Sequence, residues 1–460
     1  MTAPLRLDHA ARPPARTVLP WIQVVIASLA MVGTLPGRTM GLGLVATPLM
    51  QDLRLSDVDF GWVNLIATLV GSAFALGFGQ LIDRVGVRPV LALNAILLAA
   101  ATYWMSRATG VADLTVSLTF VRGLGQSALS VVALAIVGKW FVGRRLNLAM
   151  AVFAALVSIF FVTAFAGVQA GVGAAAGTTD PITHRLPHPE VWRTTWAIIA
   201  YSLAGLGVLA MIAARNVPGN ASRIAHLGSR IDQGKVTADE ATDLNPQSAI
   251  RDPQSTDPQS IDPQFSLAQA LRTPAFWTLA VACAVFNLIF SSVSLFSQAI
   301  LIERGFADTP TFQAAMGILL VAGLIANFIG GWLGSKVALT KLLAAGMAMV
   351  TASLVTLPYA TEKSHIYAYA TLLGLAGGVV TVVFFACWPK LFGRPHLGRI
   401  QGAAQVMTVL FSALGPLVLA LGKQWGSYSR TFLLMAPAVA LLAVACWFVR
   451  APRATSNPVR

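Results

Sequence analysis

The sequence predicts an all-α integral membrane protein, with twelve transmembrane helices arranged as two six-helix bundles. Three observations predict it. Of 460 residues, 56% are hydrophobic and 11% charged, and the mean hydropathy is +0.71, whereas soluble domains carry about 25% charged residues. Apolar stretches near the ~20 residues needed to cross a bilayer recur along the chain. A single long polar segment divides those stretches six and six. They lie at about 20–48, 60–82, 89–106, 112–138, 146–172, 192–214, 275–301, 311–334, 340–358, 366–388, 398–421 and 429–450. The expected organisation is a tail over 1–19, a bundle over 20–215, a linker over 216–274, a second bundle over 275–450 and a tail over 451–460.

Arg6, Arg12 and Arg16 precede the first apolar stretch, as in a secretory leader. That stretch is too long and lacks a small-residue cleavage pattern, so it is expected to be the first span. Within it, "GTLPGRTMGLG" sets Pro36 and Gly37 directly before Arg38. Pro and Gly weaken a helix, and a broken helix can expose backbone groups to a cavity. Arg38 either binds substrate there or snorkels to water near the opposite mouth. The second span carries Asn64, Thr68 and Ser72 on one face, a stripe expected to join helices. The loop that follows reads "GQLIDRVGVRP", with Gly79, Asp83, Arg84, Gly86 and Arg88.

The fourth span contains "FVRGLGQSALS", which places Arg122, Gln126 and Ser130 on one helical face. Gly123 and Gly125 would let a neighbouring helix approach closely. Arg122 is expected as a ligand for a substrate carboxylate, the alternative being a hydrogen-bond hub to backbone carbonyls. The loop "GAAAGTTDPITHRLPHPE" holds His184 and His188, but Pro187 and Pro189 disfavour the helix that an i,i+4 metal pair needs. The central segment "NPQSAIRDPQSTDPQSIDPQF" has the low hydrophobicity and Pro/Ser/Gln repetition of a disordered linker.

In the seventh span, Asn287, Ser291, Ser294 and Gln298 form a polar stripe expected to face substrate. The eighth, "AAMGILLVAGLIANFIGGWLG", has Asn327 as its only strongly polar side chain. The tenth supplies Phe384, Phe385 and Trp388 as pocket walls or as a lipid-facing belt. In the eleventh, Gln401, Gln405, Thr408 and Ser412 are expected to pack helices together. Cys283, Cys387 and Cys446 all fall in apolar spans, which leaves no disulfide framework or thiol metal motif.

Net charge +14 would suggest nucleic acid in a soluble protein. Here half of the 32 Lys and Arg fall in the tails and in short loops on one side, against eight on the other. That bias is topogenic: it sets both termini in the cytoplasm and implies no nucleic-acid partner. Every Asp and Glu falls in a loop or at a helix end, so Arg38 and Arg122 are the only charges deep in the membrane. A buried Arg costs about 2.5–3.5 kcal/mol on insertion scales and is kept where it meets a cavity or a partner. Two cations with no buried acid make a site for an anion.

The loop Gly79-x-x-x-Asp83-Arg84-x-Gly86-x-Arg88 resembles the signature between the second and third helices of the major facilitator superfamily. With twelve spans and a central linker, the resemblance covers nearly the whole chain. It implies that Asp83, Arg84 and Arg88, with the two glycines, form a cytoplasmic gate that latches the halves during the outward-facing state. In the second half, "GWLGSKVALTK" has Ser335 where Asp would stand, which argues against a symmetric latch. The resemblance also implies a central cavity lined by the first, fourth, seventh and tenth helices. "KWFVGRRLNLAMAV", "SLAQALRTPAFW" and "LFGRPHLGRIQG" resemble the bacterial monocarboxylate carrier and oxalate/formate antiporter branch. The Asp/Arg pair typical of the eighth helix of monocarboxylate carriers is absent. So are the Gly-Pro motif and buried acids of drug/proton antiporters.

The expected function is secondary active transport of a small, monocarboxylate-like organic anion by alternating access, in a monomer of a bacterial inner membrane. The expected substrate-binding residues are Arg122, Arg38, Gln126, Asn287, Ser291, Gln298 and Phe384. The alternatives are efflux of a neutral or hydrophobic compound and a non-transporting sensor on a transporter fold. No Ser/His/Asp set, metal cluster or phosphate loop points to an enzyme, and no cofactor is implied.

Overall fold

The computed structural model describes residues 15–74, 78, 81–82, 85–141, 144–176, 186–216, 265–334, 336–393 and 397–449. Among these the fold is all helix. The first span is broken into Ala15–Val32, a tight turn Leu35–Gly37, then Thr39–Gly43 and Ala46–Asp52. The second is Asp57–Ser72, with Phe74, Phe78, Leu81, Ile82 and Val85 also helical. The remaining spans of the first half are Val87–Ser106, Val111–Trp140, Arg144–Ala176 and Val191–Ala213. The second half comprises Pro274–Glu303, Thr309–Gly334, Leu339–Thr356, Lys363–Phe392, Leu397–Gln424 and Tyr428–Phe448. Eleven helices among the described residues are long and apolar enough to cross a membrane; the second span, with 16 residues in its main helix, makes the twelfth.

Local chemistry starts and stops these helices where the sequence allows. Ser56 caps the second span and pairs reciprocally with Asp59, satisfying two otherwise open backbone donors. Thr273 caps the seventh, with Pro274 at the first position, where its missing N–H costs nothing. Gly86 ends the loop before the third span at φ +94°, a conformation that L side chains rarely adopt. The seventh span kinks at Phe296 (φ −102°, ψ 18°). Of the central segment, residues 217–264 lie outside the described ones. The chain is described again at Phe265, whose ring meets Phe392 edge-on at 5.6 Å.

The interior carries its charge as the sequence predicts. Every described Asp and Glu sits at a span end with its own partner. Asp52 accepts from Arg193 at 2.6 Å, and Asp113 accepts from the Trp104 indole at 2.8 Å. Glu303 accepts from the backbone amides of Tyr428 and Ser429, and Asp308 accepts from Thr311 and Lys363. Arg38 and Arg122 are the charged side chains left at membrane depth.

The halves meet on the face away from the termini. There Lys423 of the eleventh span reaches Asp57 of the second at 2.5 Å. Deeper in the same seam, Leu65 packs with Ala413 and Leu417, and Asn64 donates to the Ala413 carbonyl at 3.5 Å. Between the fifth and eighth spans, Gln313 donates to the Gln169 carbonyl at 2.9 Å. The closed face therefore combines apolar packing with one ion pair at its rim. Water screening limits such a rim pair to about 0.2–1 kcal/mol. Replacing Asp57 by Lys should therefore speed thiol labelling of a cysteine at Ser294, beneath this face, by about two- to fivefold. The double exchange Asp57→Lys with Lys423→Asp should restore the slow rate; equal rates in all three proteins would show that the pair does not hold the face shut.

Candidate functional site

Breaking the first span leaves backbone groups that its own helix cannot satisfy, and hydrocarbon offers no water to replace them. The fourth span supplies the replacement. Arg122 is 2% exposed. Its Nη1 donates to the Gly37 carbonyl at 3.4 Å, to Thr39 Oγ1 at 3.2 Å and to Gln126 Oε1 at 3.2 Å. Its Nη2 donates to Asn64 Oδ1 of the second span. Nε has no partner among the described residues. Arg122 opens a π-helical stretch, Arg122–Leu129, an irregularity frequent at functional positions. Close approach is possible because Gly37 has no side chain. A Cβ there would lie 2.6 Å from the Val121 carbonyl and 3.4 Å from Gly125 Cα.

In this geometry Arg122 takes the second of the two roles considered for it. In this conformation it is a hydrogen-bond hub joining the first, second and fourth spans, and it does not line the cavity between the halves. Its neighbour Gln126 is exposed on the fourth span, also off that cavity.

Besides a cavity of about 1,390 Å³ beside Asp57 and Lys423 on the face away from the termini, the halves border one of about 340 Å³ that Arg38 lines. It is bounded by the first, fifth, seventh, eighth and tenth spans, so the fifth and eighth stand where the fourth was expected. Arg38 is its cation. The break puts Arg38 in an extended conformation (φ −88°, ψ 144°), pointing the side chain away from the helix axis. Its Nε donates to Thr34 Oγ1 at 2.7 Å and its Nη2 to Met31 Sδ at 3.3 Å. The guanidinium lies over the Phe161 ring, 5.1 Å from its centroid. Nη1 has no hydrogen-bond partner among the described residues. The site is thus half-satisfied: two of the five N–H groups fix the side chain, and the other three, both of them on Nη1 among these, have no partner among the described residues.

Among the described residues, the second half contributes no charge to the cavity. Asn287 lines it, its Nδ2 donating to the Cys283 carbonyl at 2.8 Å. Asn327 lines it as well, exposed and without a hydrogen bond among the described residues. The rings of Phe286 and Phe290 stack at 5.4 Å with 27° between planes. The eighth and tenth spans complete the wall with Gly323, Gly374, Gly377 and Gly378.

Of the remaining expected residues, three sit elsewhere. Ser291 is 3% exposed and donates to the Ser412 carbonyl at 2.7 Å, so it ties the seventh span to the eleventh instead of facing substrate. Gln298 lies beyond the kink at Phe296, off the cavity. Phe384 is 7% exposed, packed edge-on against Trp388 at 6.0 Å, and is core rather than pocket wall. A helical stripe shows which residues share a face, not what lies across from it. Phe161 and Asn327 went unselected: an aromatic in an apolar span carries no distinguishing signal, whereas a lone mid-span amide does.

Of the loop signature, Gly79, Asp83 and Arg84 lie outside the described residues, as do His184 and Ser335. Gly86 and Arg88 are described, and Arg88 bonds within its own half. Its amide donates to Asn216 Oδ1 at 3.0 Å, and its guanidinium donates to the Met211 carbonyl, through Nε at 3.0 Å and also through Nη2. Here it anchors the third span to the end of the sixth and does not bridge the halves. His188 is exposed and faces Glu190 at 3.3 Å.

The profile of the Major Facilitator Superfamily matches residues 27–416 and 308–460. Monocarboxylate transporter 13 of Rattus norvegicus is 22% identical over 444 residues, 95% of this chain and 91% of its own. The probable nitrate/nitrite antiporter NarK1 of Thermus thermophilus is 33% identical over 113 residues, only 25% of either chain. Among solved structures, the nucleoside transporter NupG superposes with a TM-score of 0.67 at 11% identity, covering 93% of this chain and 98% of that one. A bacterial homolog of the human lysosomal transporter Spinster, inward-facing and occupied, gives 0.66 at 13% identity over 95% of this chain and 97% of that one. At such identities the structural likeness speaks to the fold alone.

The hub carries a stability prediction. Replacing Asn64 by Ala removes one acceptor from a buried guanidinium, a loss of about 1–3 kcal/mol. The purified variant should melt several degrees lower in detergent while its helical content is unchanged; an unaltered melting temperature would remove the hub from the list of what holds the first half together.

Proposed function

The chain belongs to the Major Facilitator Superfamily and is a multi-pass membrane transporter rather than an enzyme; from that premise we propose that it carries a small organic anion by alternating access. The observation that supports this reading is Arg38. It is a guanidinium on a cavity between the halves, with open N–H donors on Nη1 and no carboxylate among the described lining residues. A charge in hydrocarbon is retained where it has a task, and a carboxylate would complete the donor set.

In this proposal Arg38 holds the carboxylate, Asn287 and Asn327 meet it or the rest of the solute from the second half, and Arg122 keeps the broken first span in shape. Arg122 and Gln126 then act on the site through the placement of Arg38. With both termini in the cytoplasm of a bacterial cell, the closed face is extracellular and the conformation inward-facing. The Asp57–Lys423 pair would part as the halves rock. Relatives named as monocarboxylate transporters and as a nitrate/nitrite antiporter are compatible with an anionic cargo. Because the cavity offers no carboxylate to carry a proton, coupling would come from exchange for a second anion or from a proton travelling on the substrate.

Reconstitution in liposomes tests the reading. Arg38→Gln should reduce the apparent affinity for carboxylates in counterflow by about tenfold or more, since a hydrogen bond to a charged group is worth about 1.5–3 kcal/mol. Arg38→Lys should retain part of the activity. Uptake by Arg38→Gln equal to that of the parent would exclude the residue from the site. If the proton rides on the cargo, the pH profile of uptake should move with the pKa of whichever acid is supplied; a profile independent of the acid would exclude that route.

A further inference from the structure

The cavity's composition also bears on which anion fits, an inference that rests on the anion reading above. We infer that the cargo is a singly charged carboxylate with an apolar body of branched-chain or aromatic size, rather than a small inorganic ion, formate or a dicarboxylate.

Charge supplies the first argument. Arg38 is the one cation among the described lining residues, and both N–H groups of its Nη1 are open. One carboxylate neutralises it. A second carboxylate would meet no second cation among the described lining residues, only the neutral Ser158, Asn287, Asn327 and Thr381 among apolar rings and leucines, where an unpaired charge is costly.

Size supplies the second. A volume of about 340 Å³ falls in the range of sites for drug-sized ligands, about 300–1,000 Å³. Nitrate or formate would leave most of that space to solvent and most of the apolar wall unburied. A body with a phenyl or isobutyl group would cover the partly exposed rings of Phe161 and Phe290. Burial of apolar area is the main source of affinity such a wall can give.

Polarity supplies the third. Opposite Arg38, the second half presents two neutral amides, Asn287 and Asn327, and Asn327 takes no hydrogen bond among the described residues. Amides accommodate a hydroxyl, a keto group or the second carboxylate oxygen without adding charge. They discriminate in the same direction as the wall.

Competition against labelled 3-phenylpropionate in liposomes containing the full chain tests the inference. The competitors are 4-methylpentanoate, formate, nitrate, oxalate and 3-phenylpropanamide. The expected result is that 4-methylpentanoate and unlabelled 3-phenylpropionate compete at concentrations at least tenfold lower than formate, nitrate or oxalate. In Phe290→Ala, checked for an unchanged melting temperature, that advantage should shrink at least threefold. Formate, nitrate or oxalate competing as well as the larger acids would overturn the size and charge inference and leave the anion reading standing. Competition by the neutral 3-phenylpropanamide equal to that of its acid would overturn both. An advantage unchanged in Phe290→Ala would remove the apolar wall from the explanation.

Discussion

A helix broken inside hydrocarbon must have its loose backbone groups answered by something other than water, and in this protein the answer is a guanidinium. Arg122 reaches from the fourth span to the Gly37 carbonyl and Thr39, and is itself held by Asn64 and Gln126. Without that hub, the Gly37 carbonyl at the end of the turn would stand without this donor at membrane depth, where an unpaired group costs several kcal/mol. With it, that carbonyl has a donor where the chain leaves its helical path. The irregular backbone then sets the extended conformation of Arg38 and so places a second guanidinium on the cavity. The two arginines form a sequence of dependence: one is spent on structure so that the other can stay partly free.

The two halves divide the labour at the cavity. The first half brings the charge, the cation–π contact with Phe161 and the break that positions both. The second half brings apolar rings, glycine-lined walls and neutral amides. This asymmetry suits a moving part. A charge pair spanning the two halves inside the cavity would have to be torn open in every cycle, at a cost set by low dielectric. The pair that does span them, Asp57–Lys423, lies at the rim, where water screens it and parting it is cheap.

Much of the fold was legible in the residues because membrane insertion imposes it locally. Span length, the polar interruption in the middle, the topogenic lysines and arginines and the helix caps each need only a neighbouring stretch of chain and a slab of hydrocarbon. The weakness at Pro36 and Gly37 was legible for the same reason. Within the site, Arg38, Asn287 and the unaccompanied Asn327 stood out because a polar group in an apolar span is expensive wherever it points.

What sequence alone could not assign was the partner across the gap. Arg122 and Arg38 are the same residue type at similar depth. Which one meets a cavity and which one meets Gly37 follows from how closely the first and fourth spans pack. Ser291 and Asn287 share one helical face, yet the first bonds the eleventh span and the second lines the cavity. Phe161 gained a function only when the fifth span brought it beneath a guanidinium from the first. By itself the chain determined that it spans a membrane twelve times in two halves with a positive, acid-free interior, since solvation energy is a property of each segment. Tertiary packing decided which cation stays open to a ligand, because that depends on which polar groups from distant spans arrive close enough to satisfy the other.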